Sequence, residues 1–433
     1  MNDVSSGQPP LSPSPSPILP RDDEGDPGRP GPTAPGGPEE AAPAGEGRPA
    51  RRRPGRARRL AGLAGMAVLA AALVAAFTVP MPYVVEGPGP TFDVTGSSDG
   101  TPMIEISGTD PSTGQAVSLD PVRTAGDGTG ELRMVTVSEQ GGPGQRLNLV
   151  QLIEARLDRR DVVVPYDEAY PGDVTQEDVT RAGQAQMESS QSTAEVSALE
   201  YLGWDVPATM TVEGAVAGSD AEGKVRQGDV LVSLTTPDGQ VHAVDSASVP
   251  FSVMRDVPVG STVLATMTRD GEQVAVPIVT SAGDDGSQGS KLGVYLSADV
   301  DLPVDITVNL EKVGGPSAGT MFALGIIDRM TPGDLAGGQS IAGTGAIGYD
   351  GQVQAIGGIR QKMWGAVRDG AAWFLAPSAN CDEVVGHVPD GLGVVKISTL
   401  DDAVSAVKAI AAGQGDTLPT CTASDAQSGS AGS

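Results

Sequence analysis

One serine and one lysine stand out because of the residues around them. Residues Glu311 to Gly319 read E-K-V-G-G-P-S-A-G, so Ser317 begins an apolar, helix-like run from Ala318 to Met330. Further along, Lys362 lies in a second glycine-rich stretch, Ala355 to Ala366. A serine at the start of a helix lies among free backbone N–H groups, near the positive end of the helix dipole. Both stabilise an alkoxide or a tetrahedral oxyanion, and we therefore interpret Ser317 as a nucleophile.

Lys362 is the candidate base for this serine. A serine hydroxyl needs a base beside it, and a lysine amine serves only if burial lowers its pKa. The neighbours of Lys362 that predict such burial are Ile356, Ile359, Met363, Trp364 and Val367. The residues alone also allow a plainer interpretation, in which Ser317 caps a helix and Lys362 lies on the surface.

A histidine is the rival base. The sequence contains His242 and His387, and a Ser-His-Asp triad with Ser317 would have to use His387. His387 stands in a predicted loop before Pro389 and Asp390, where a surface position is the simpler expectation.

Taken together, the two glycine-rich stretches resemble the proteolytic domain of Lon proteases, which are Ser-Lys dyad endopeptidases. The resemblance rests on G-G-P-S-A-G with its apolar helix and on T-G-A-I-G-Y-D-G-Q-V-Q-A-I-G-G-I-R-Q-K, and covers Leu292 to Gly413. It implies Ser317 as nucleophile, Lys362 as base and Thr344 as a helper near the dyad.

Two positions depart from the pattern of the family. Gly314 stands where many Lon proteins have an acidic residue, and Ala346 replaces the glutamate of T-G-E. These departures concern the tuning of the site rather than the dyad. We expect the backbone N–H groups from Gly315 to Ala318 to form the oxyanion hole, except that of Pro316, which has none.

The beginning of the chain predicts a cytoplasmic tail and a membrane helix. Residues 1–59 form a Pro-, Gly-, Ser- and acid-rich tail that ends in clustered arginines, and such a composition predicts disorder. Residues 60–79 contain no charge and are long enough to span a bilayer. The arginines place the N-terminus in the cytoplasm and everything after the helix outside. A cleaved signal peptide is the alternative, but Val74-Ala75-Ala76-Phe77 is a poor cleavage site.

The composition limits the function of the remaining chain. The 433 residues suffice for two or three domains, and the formal net charge is −27. That acidity argues against nucleic-acid binding. Acidic residues cluster from Asp167 to Asp178, but their spacing matches no calcium loop, and we expect a solvated face without metal.

The predicted fold is multi-domain, combining α/β and α+β parts. After the membrane helix we predict a small α+β module over 83–191, a PDZ-like domain over 192–280, a linker over 281–291, a Lon-type α/β domain over 292–413 and a disordered tail over 414–433. The run from Ala208 to Leu234 and the turn Pro237-Asp238-Gly239 resemble a PDZ domain, which implies binding of an extended peptide. A domain that only spaces the protease from the membrane is the alternative.

The two cysteines, Cys381 and Cys421, both follow the membrane helix, where oxidation is allowed. We predict a disulfide between them, with two free thiols as the alternative. No cofactor is expected. The nearest match to a Walker A phosphate loop, Gly333 to Ser340, has Gln339 in place of the lysine.

The layout of anchor, PDZ-like domain and Lon-type domain resembles bacterial membrane-anchored PDZ–Lon proteins. We expect an ATP-independent serine endopeptidase that acts on exported or membrane-associated proteins outside the cytoplasmic membrane. The resemblance also implies a homo-oligomer. The alternative from another class is a peptide-binding scaffold whose Lon-like domain serves only for oligomerisation.

Overall fold

The computed structural model describes residues 56–98, 100–119, 122, 128–283, 289–310 and 313–425. The predictions for the tail up to residue 55 lie outside this range. The chain divides into two units, Met1–Gly65 and Met66–Ser433, and the elements that position the candidate site all lie in the second unit.

The helices of the described chain are α1 (Arg56–Thr78), α2 (Leu149–Leu157), α3 (Tyr166–Ala169), α4 (Gln176–Tyr201), α5 (Val249–Asp256), α6 (Gly319–Met330), α7 (Ile359–Arg368), α8 (Cys381–Val384) and α9 (Leu400–Ala411). Short 3-10 turns cover Ser378–Asn380 and Gly415–Thr417. Among the residues described, one stretch is long and apolar enough to cross a membrane by length and composition, Leu60–Thr78, with a mean hydropathy of 2.3.

The strands before the linker are β1 (Tyr83–Asp93), β2 (Ser97–Ser98), β3 (Thr101–Pro102), β4 (Ile104–Gly108), β5 (Glu131–Gln140), β6 (Val162–Pro165), β7 (Ala208–Ala215), β8 (Val230–Thr235), β9 (Val241–Ala243), β10 (Thr262–Arg269) and β11 (Glu272–Val279). Those after it are β12 (Val294–Val300), β13 (Val304–Val308), β14 (Ser340–Gly343), β15 (Ala346–Ile347), β16 (Val353–Gln354), β17 (Trp373–Pro377) and β18 (Gly393–Ile397).

A mixed sheet in the order β18-β17-β14-β5-β1-β6 carries helices on both faces. The neighbours from β18 to β5 are parallel, and β1 is antiparallel to both β5 and β6. Because side chains alternate along a strand, Leu375 of β17 packs with α4, α6 and α9, whereas Phe374 packs with α7 and α8 on the other face. We call this three-layer α/β/α part the proteolytic body.

A second, antiparallel sheet in the order β11-β10-β8-β7-β12, with β9 beside β8, forms a separate body with α5. Its own core contains Met210, Leu234, Met254 and Ile278. This part, residues 208–300, is called the sheet domain below. It is inserted between α4 and β13, whose apolar residues belong to the core of the proteolytic body.

The structure corrects the predicted boundaries on both sides of the sheet domain. Residues 83–191 are not a separate module, because β5 pairs with β14 in the central sheet and β4 pairs with β13. The helix predicted to open the PDZ-like domain at Ser192 is the second half of α4 and packs in the core of the proteolytic body. The partners lie far apart in sequence, and local patterns carry no sign of such pairing.

The predicted linker and tail also differ from the structure. The two ends of the predicted linker, Ser281 and Lys291, belong to the sheet domain, because they pair with each other and β12 then joins β7. Residues 284–288 lie outside the described range. The tail predicted to be disordered is fixed as far as Asp425, since Lys396 forms an ion pair with Asp425 at 2.8 Å and a disulfide joins Cys381 to Cys421. The remaining residues, 426–433, are outside that range as well.

Candidate active site

The site lies at the carboxyl end of β14, between elements that pack on opposite faces of the central sheet. Helix α6, which follows Ser317, packs on one face, and α7, which carries Lys362, packs on the other. Thr344 comes directly after β14 and is 1% exposed. Carboxyl ends of parallel strands are where open α/β sheets place their ligands, so this position suits a catalytic site.

Ser317 is half-buried in a turn that precedes α6. The helix begins at Gly319 rather than at Ala318, so Ser317 lies just outside the first helical turn. The turn depends on Gly315, whose φ of +93° is a conformation that other residues rarely adopt. The buried Ala318 is the N-cap of α6 and has no capping side chain.

Lys362 is 3% exposed in the fourth position of α7. The helix starts after Gly358, which has φ +68° and leaves no room for a side chain, since a Cβ there would be 2.6 Å from Val137 Cγ2. Burial lowers the pKa of Lys362 from its ordinary 10.5 to about 8, against the opposing charges of Glu383 and Glu86. Much of the amine is therefore neutral at mildly alkaline pH, as a general base requires.

Thr344 connects the lysine to the serine backbone. Lys362 Nζ donates a hydrogen bond to Thr344 Oγ1 at 3.3 Å, and Thr344 Oγ1 donates to the carbonyl of Ser317 at 3.0 Å. The N–H of Gly345 binds the same carbonyl at 2.9 Å. Within residues 313–425, all of which the structure describes, the Ser317 hydroxyl and Lys362 Nζ form no hydrogen bond with each other. The arrangement brings the predicted trio together without closing the nucleophile–base contact.

The structure changes the predicted oxyanion hole. The N–H of Gly315 donates to the carbonyl of Gly183 in α4 at 3.1 Å and is not free for a substrate. The prediction that Gly315 supplies an oxyanion donor is therefore wrong, because α4 approaches the glycine loop closely. The N–H groups of Ser317 and Ala318 remain as the donors next to the nucleophile.

Gly314 and Ala346, the two departures from the Lon pattern, both lie in closely packed surroundings. A Cβ on Gly314 would lie 3.1 Å from Gly183 Cα, which is tighter than ordinary contacts. An acidic side chain at position 314 therefore conflicts with α4 as it packs here. Ala346 is 9% exposed in the short hairpin of β15 and β16, opposite Gln354.

Two polar side chains that the sequence analysis missed support the site. Asn380, 3% exposed, binds both the N–H and the carbonyl of Ile356 at 2.9 and 2.8 Å, and thereby fixes the segment that leads into α7. Ser190 of α4 donates to the carbonyl of Pro316 at 2.9 Å. Neither lies in a recognisable motif, and only a prediction of contacts between distant residues could have found them.

The rival base and the phosphate-loop candidate lie elsewhere. His387 is exposed, with Nδ1 3.2 Å from the carbonyl of Val385 in its own loop. Gln339 lies in the turn between α6 and β14, where its carbonyl accepts a hydrogen bond from the N–H of Glu131. His387 forms no hydrogen bond with Ser317, although both residues are described.

Comparison with known proteins agrees with the geometry. Residues 238–409 match the family described as the Lon protease (S16) C-terminal proteolytic domain. The chain carries a Lon-type proteolytic domain. That domain is of the serine-peptidase type.

Curated relatives share this part of the chain. Lon protease of Azospirillum brasilense is 32% identical over 106 residues, which are 24% of this chain and 13% of that protein. Lon protease of Campylobacter concisus is 29% identical over 180 residues, 41% of this chain and 21% of the relative. The peroxisomal Lon protease homolog 2 of Caenorhabditis briggsae is 25% identical over 179 residues, 41% and 22% of the two chains. The chain thus spans about a fifth or less of the length of these relatives.

Proposed function

We propose that this chain is a membrane-anchored serine endopeptidase that cleaves proteins through Ser317 and Lys362 without using ATP. The observation that carries the proposal is the buried amine of Lys362, with a pKa of about 8, held by Thr344 beside the Ser317 segment. The similarity to the Lon proteolytic domain supports it.

In the proposed reaction, neutral Lys362 removes the proton from Ser317 Oγ as this oxygen attacks the carbonyl carbon of the peptide bond. The N–H groups of Ser317 and Ala318 stabilise the tetrahedral oxyanion. Lys362 then gives the proton to the leaving amine, and an acyl-enzyme forms on Ser317. Water hydrolyses this ester with Lys362 again acting as base. Thr344 holds the amine near the serine in each step.

The location rests on the apolar helix and on the cysteines. Residues Leu60–Thr78 are long enough to span a bilayer, and the arginines before them favour a cytoplasmic N-terminus. The disulfide between Cys381 and Cys421 suits an oxidising compartment. Substrates would then be exported or membrane-associated proteins, and the enzyme would work as a homo-oligomer.

The sheet domain supports a role in peptide binding. Strand β12 is an edge of its sheet, and Tyr295 on it is 60% exposed. The segment that leads into β12 contacts the end of α5, where the N–H of Ser290 donates to the carbonyl of Met254 at 3.0 Å. An extended peptide added to β12 would lie beside α5, as in PDZ domains.

Degradation of an unfolded protein by the purified full chain in lipid nanodiscs tests the function. Cleavage should proceed without ATP, should not change when ATP is added, and should be lost in Ser317→Ala and Lys362→Ala. Equal residual cleavage in all three proteins would refute the proposal and favour a peptide-binding scaffold. Strong stimulation by ATP would point to a partner ATPase.

A fluorescent extended peptide tests the binding role separately. Val253→Glu on α5 should weaken binding, because this partly buried valine packs against the core of the sheet domain on the helix beside which the peptide would lie. Val241→Glu, on the exposed face of β9, is the control. Equal binding by both variants would mean that the peptide binds elsewhere.

A further inference from the structure

Helix α4 contacts the backbone of the Ser317 segment at two points. Ser190 is 3% exposed, and its hydroxyl donates to the carbonyl of Pro316 at 2.9 Å. This hydrogen bond holds the backbone one residue before the nucleophile. The carbonyl of Gly183, two helical turns earlier, accepts the N–H of Gly315 at 3.1 Å.

The approach of α4 leaves little room for a side chain at two glycines of the segment. A Cβ on Gly314 would lie 3.1 Å from Gly183 Cα and 3.3 Å from its carbonyl carbon. A Cβ on Gly319, just after the nucleophile, would lie 2.9 Å from Ser190 Oγ. The segment therefore fits against α4 on both sides of Ser317 with little free space.

Helix α4 is itself held firmly. Its N-terminus carries a capping box in which Thr175 and Asp178 exchange hydrogen bonds. Ala194 and Ala198 are fully buried in the core of the proteolytic body. A helix fixed in this way can act as a reference surface for the loop.

The carbonyl groups on either side of Ser317 are bound by different elements. Ser190 of α4 binds that of Pro316, and Thr344 after β14 binds that of Ser317. The peptide units before and after the nucleophile are thereby oriented from two directions. Since both carbonyls are bound, the N–H groups of Ser317 and Ala318 are also fixed in direction.

We propose that Ser190 is a positioning residue for the nucleophile, acting through the carbonyl of Pro316 to orient Ser317 Oγ and the adjacent N–H donors. The inference rests on the proposed peptidase function. Removing the hydroxyl leaves the carbonyl of Pro316 with only a long hydrogen bond from the N–H of Gly319, at 3.5 Å, and the peptide unit before Ser317 can then turn. A small displacement of a nucleophile costs much of its rate.

The test compares Ser190→Ala with Ser197→Ala in the full chain. Both serines lie on α4 and are 3% and 4% exposed. The hydroxyl of Ser197 lies 2.7 Å from the carbonyl of Thr193 in its own helix and 2.8 Å from that of Gly348, and it does not bind the Ser317 segment. The measurement is the second-order rate of Ser317 labelling by a fluorophosphonate from pH 6 to 10, together with Tm. Ser190→Ala should lower the plateau rate about tenfold, with an unchanged pH midpoint. Ser197→Ala should label at the wild-type rate.

A conservative variant separates positioning from packing. Ser190→Cys keeps a weak donor of similar size and should recover part of the rate lost in Ser190→Ala. Wild-type labelling by Ser190→Ala would overturn the inference. So would a slower rate accompanied by a lower Tm and a raised pH midpoint, because general loosening would then expose Lys362. If wild type labels no faster than Ser317→Ala, the peptidase function fails first, and the role of Ser190 fails with it.

Discussion

Two buried charged side chains, one in the proteolytic body and one in the sheet domain, are held in opposite ways. Asp229 of the sheet domain is 1% exposed and accepts hydrogen bonds from Arg269 Nε at 2.8 Å, Arg269 Nη2 at 2.6 Å and the N–H of Arg226 at 2.8 Å. Lys362 of the proteolytic body is 3% exposed and donates to the neutral hydroxyl of Thr344 alone among the described residues.

The pKa values reflect this contrast. The hydrogen bonds from Arg269 lower the pKa of Asp229 despite the opposing effect of burial, so its charged form is stabilised. Burial lowers the pKa of Lys362 to about 8, so its charged form is destabilised. The ion pair stabilises the folded state with Asp229 charged, whereas burial without a charged partner favours the neutral amine of Lys362, which can accept a proton. The difference supports a structural role for the first and, under the proposed function, a chemical role for the second.

The largest expected effect is the loss of activity in Lys362→Met. Methionine fills the buried volume without a base, so peptidase activity should fall on the order of 10³-fold while the fold is kept. Peptide hydrolysis by the full chain measures the effect, with circular dichroism as the check on folding. If the variant keeps most of its activity, Lys362 is not the base. Its lowered pKa would then not indicate a role in the chemistry.

The converse effect is expected in the sheet domain. Arg269→Met leaves the buried carboxylate of Asp229 without its partner and should lower the free energy of unfolding by about 3 kcal/mol. Hydrolysis of a short peptide by the folded variant should be nearly unchanged. Lys224→Met is the control, because its ion pair with Asp220 is 40% and 35% exposed and such pairs contribute little. Similar stability losses in the two variants would mean that the buried ion pair of Asp229 contributes no more to stability than the exposed pair of Asp220.

Local motifs predicted which residues come together at the candidate site better than they predicted the architecture. Ser317, Thr344 and Lys362 lie in short glycine-punctuated stretches, and the structure brings them together as those stretches implied. The insertion of the sheet domain was missed, because β5 pairs with β14 across an interval that contains the whole domain. The partner of the Gly315 N–H was missed for the same reason: it is a backbone carbonyl on a helix far away in the chain.

The same lysine also affects stability. Unfolded Lys362 holds its proton up to about pH 10.5, whereas the folded residue releases it near 8. Between these values the unfolded state binds more protons, so the stability of wild type rises with pH. Lys362→Met has no charge to bury and should be more stable than wild type at pH 7, by about 3 kcal/mol. Urea unfolding at pH 7 and 10 measures the difference, which should shrink at the higher pH. A variant less stable than wild type at pH 7 would show that the buried amine stabilises the fold.

The smallest effect concerns the acids that surround the amine without binding it. Glu383 raises the pKa of Lys362 against the larger effect of burial. Its carboxylate also accepts a hydrogen bond from Asn380 at 3.1 Å, which the amide oxygen of Glu383→Gln can retain. Loss of the negative charge should therefore lower the pKa of Lys362 and move the rise of activity to lower pH.

The pH profile of Ser317 labelling measures this shift, and Asp382→Asn provides the control, since it removes the same charge from an exposed position one residue away. The midpoint should move to lower pH in Glu383→Gln and stay in place in Asp382→Asn. A midpoint that moves equally in both variants would mean that Lys362 responds to net charge at the surface. It would then lack the secluded environment that distinguishes it from Asp229.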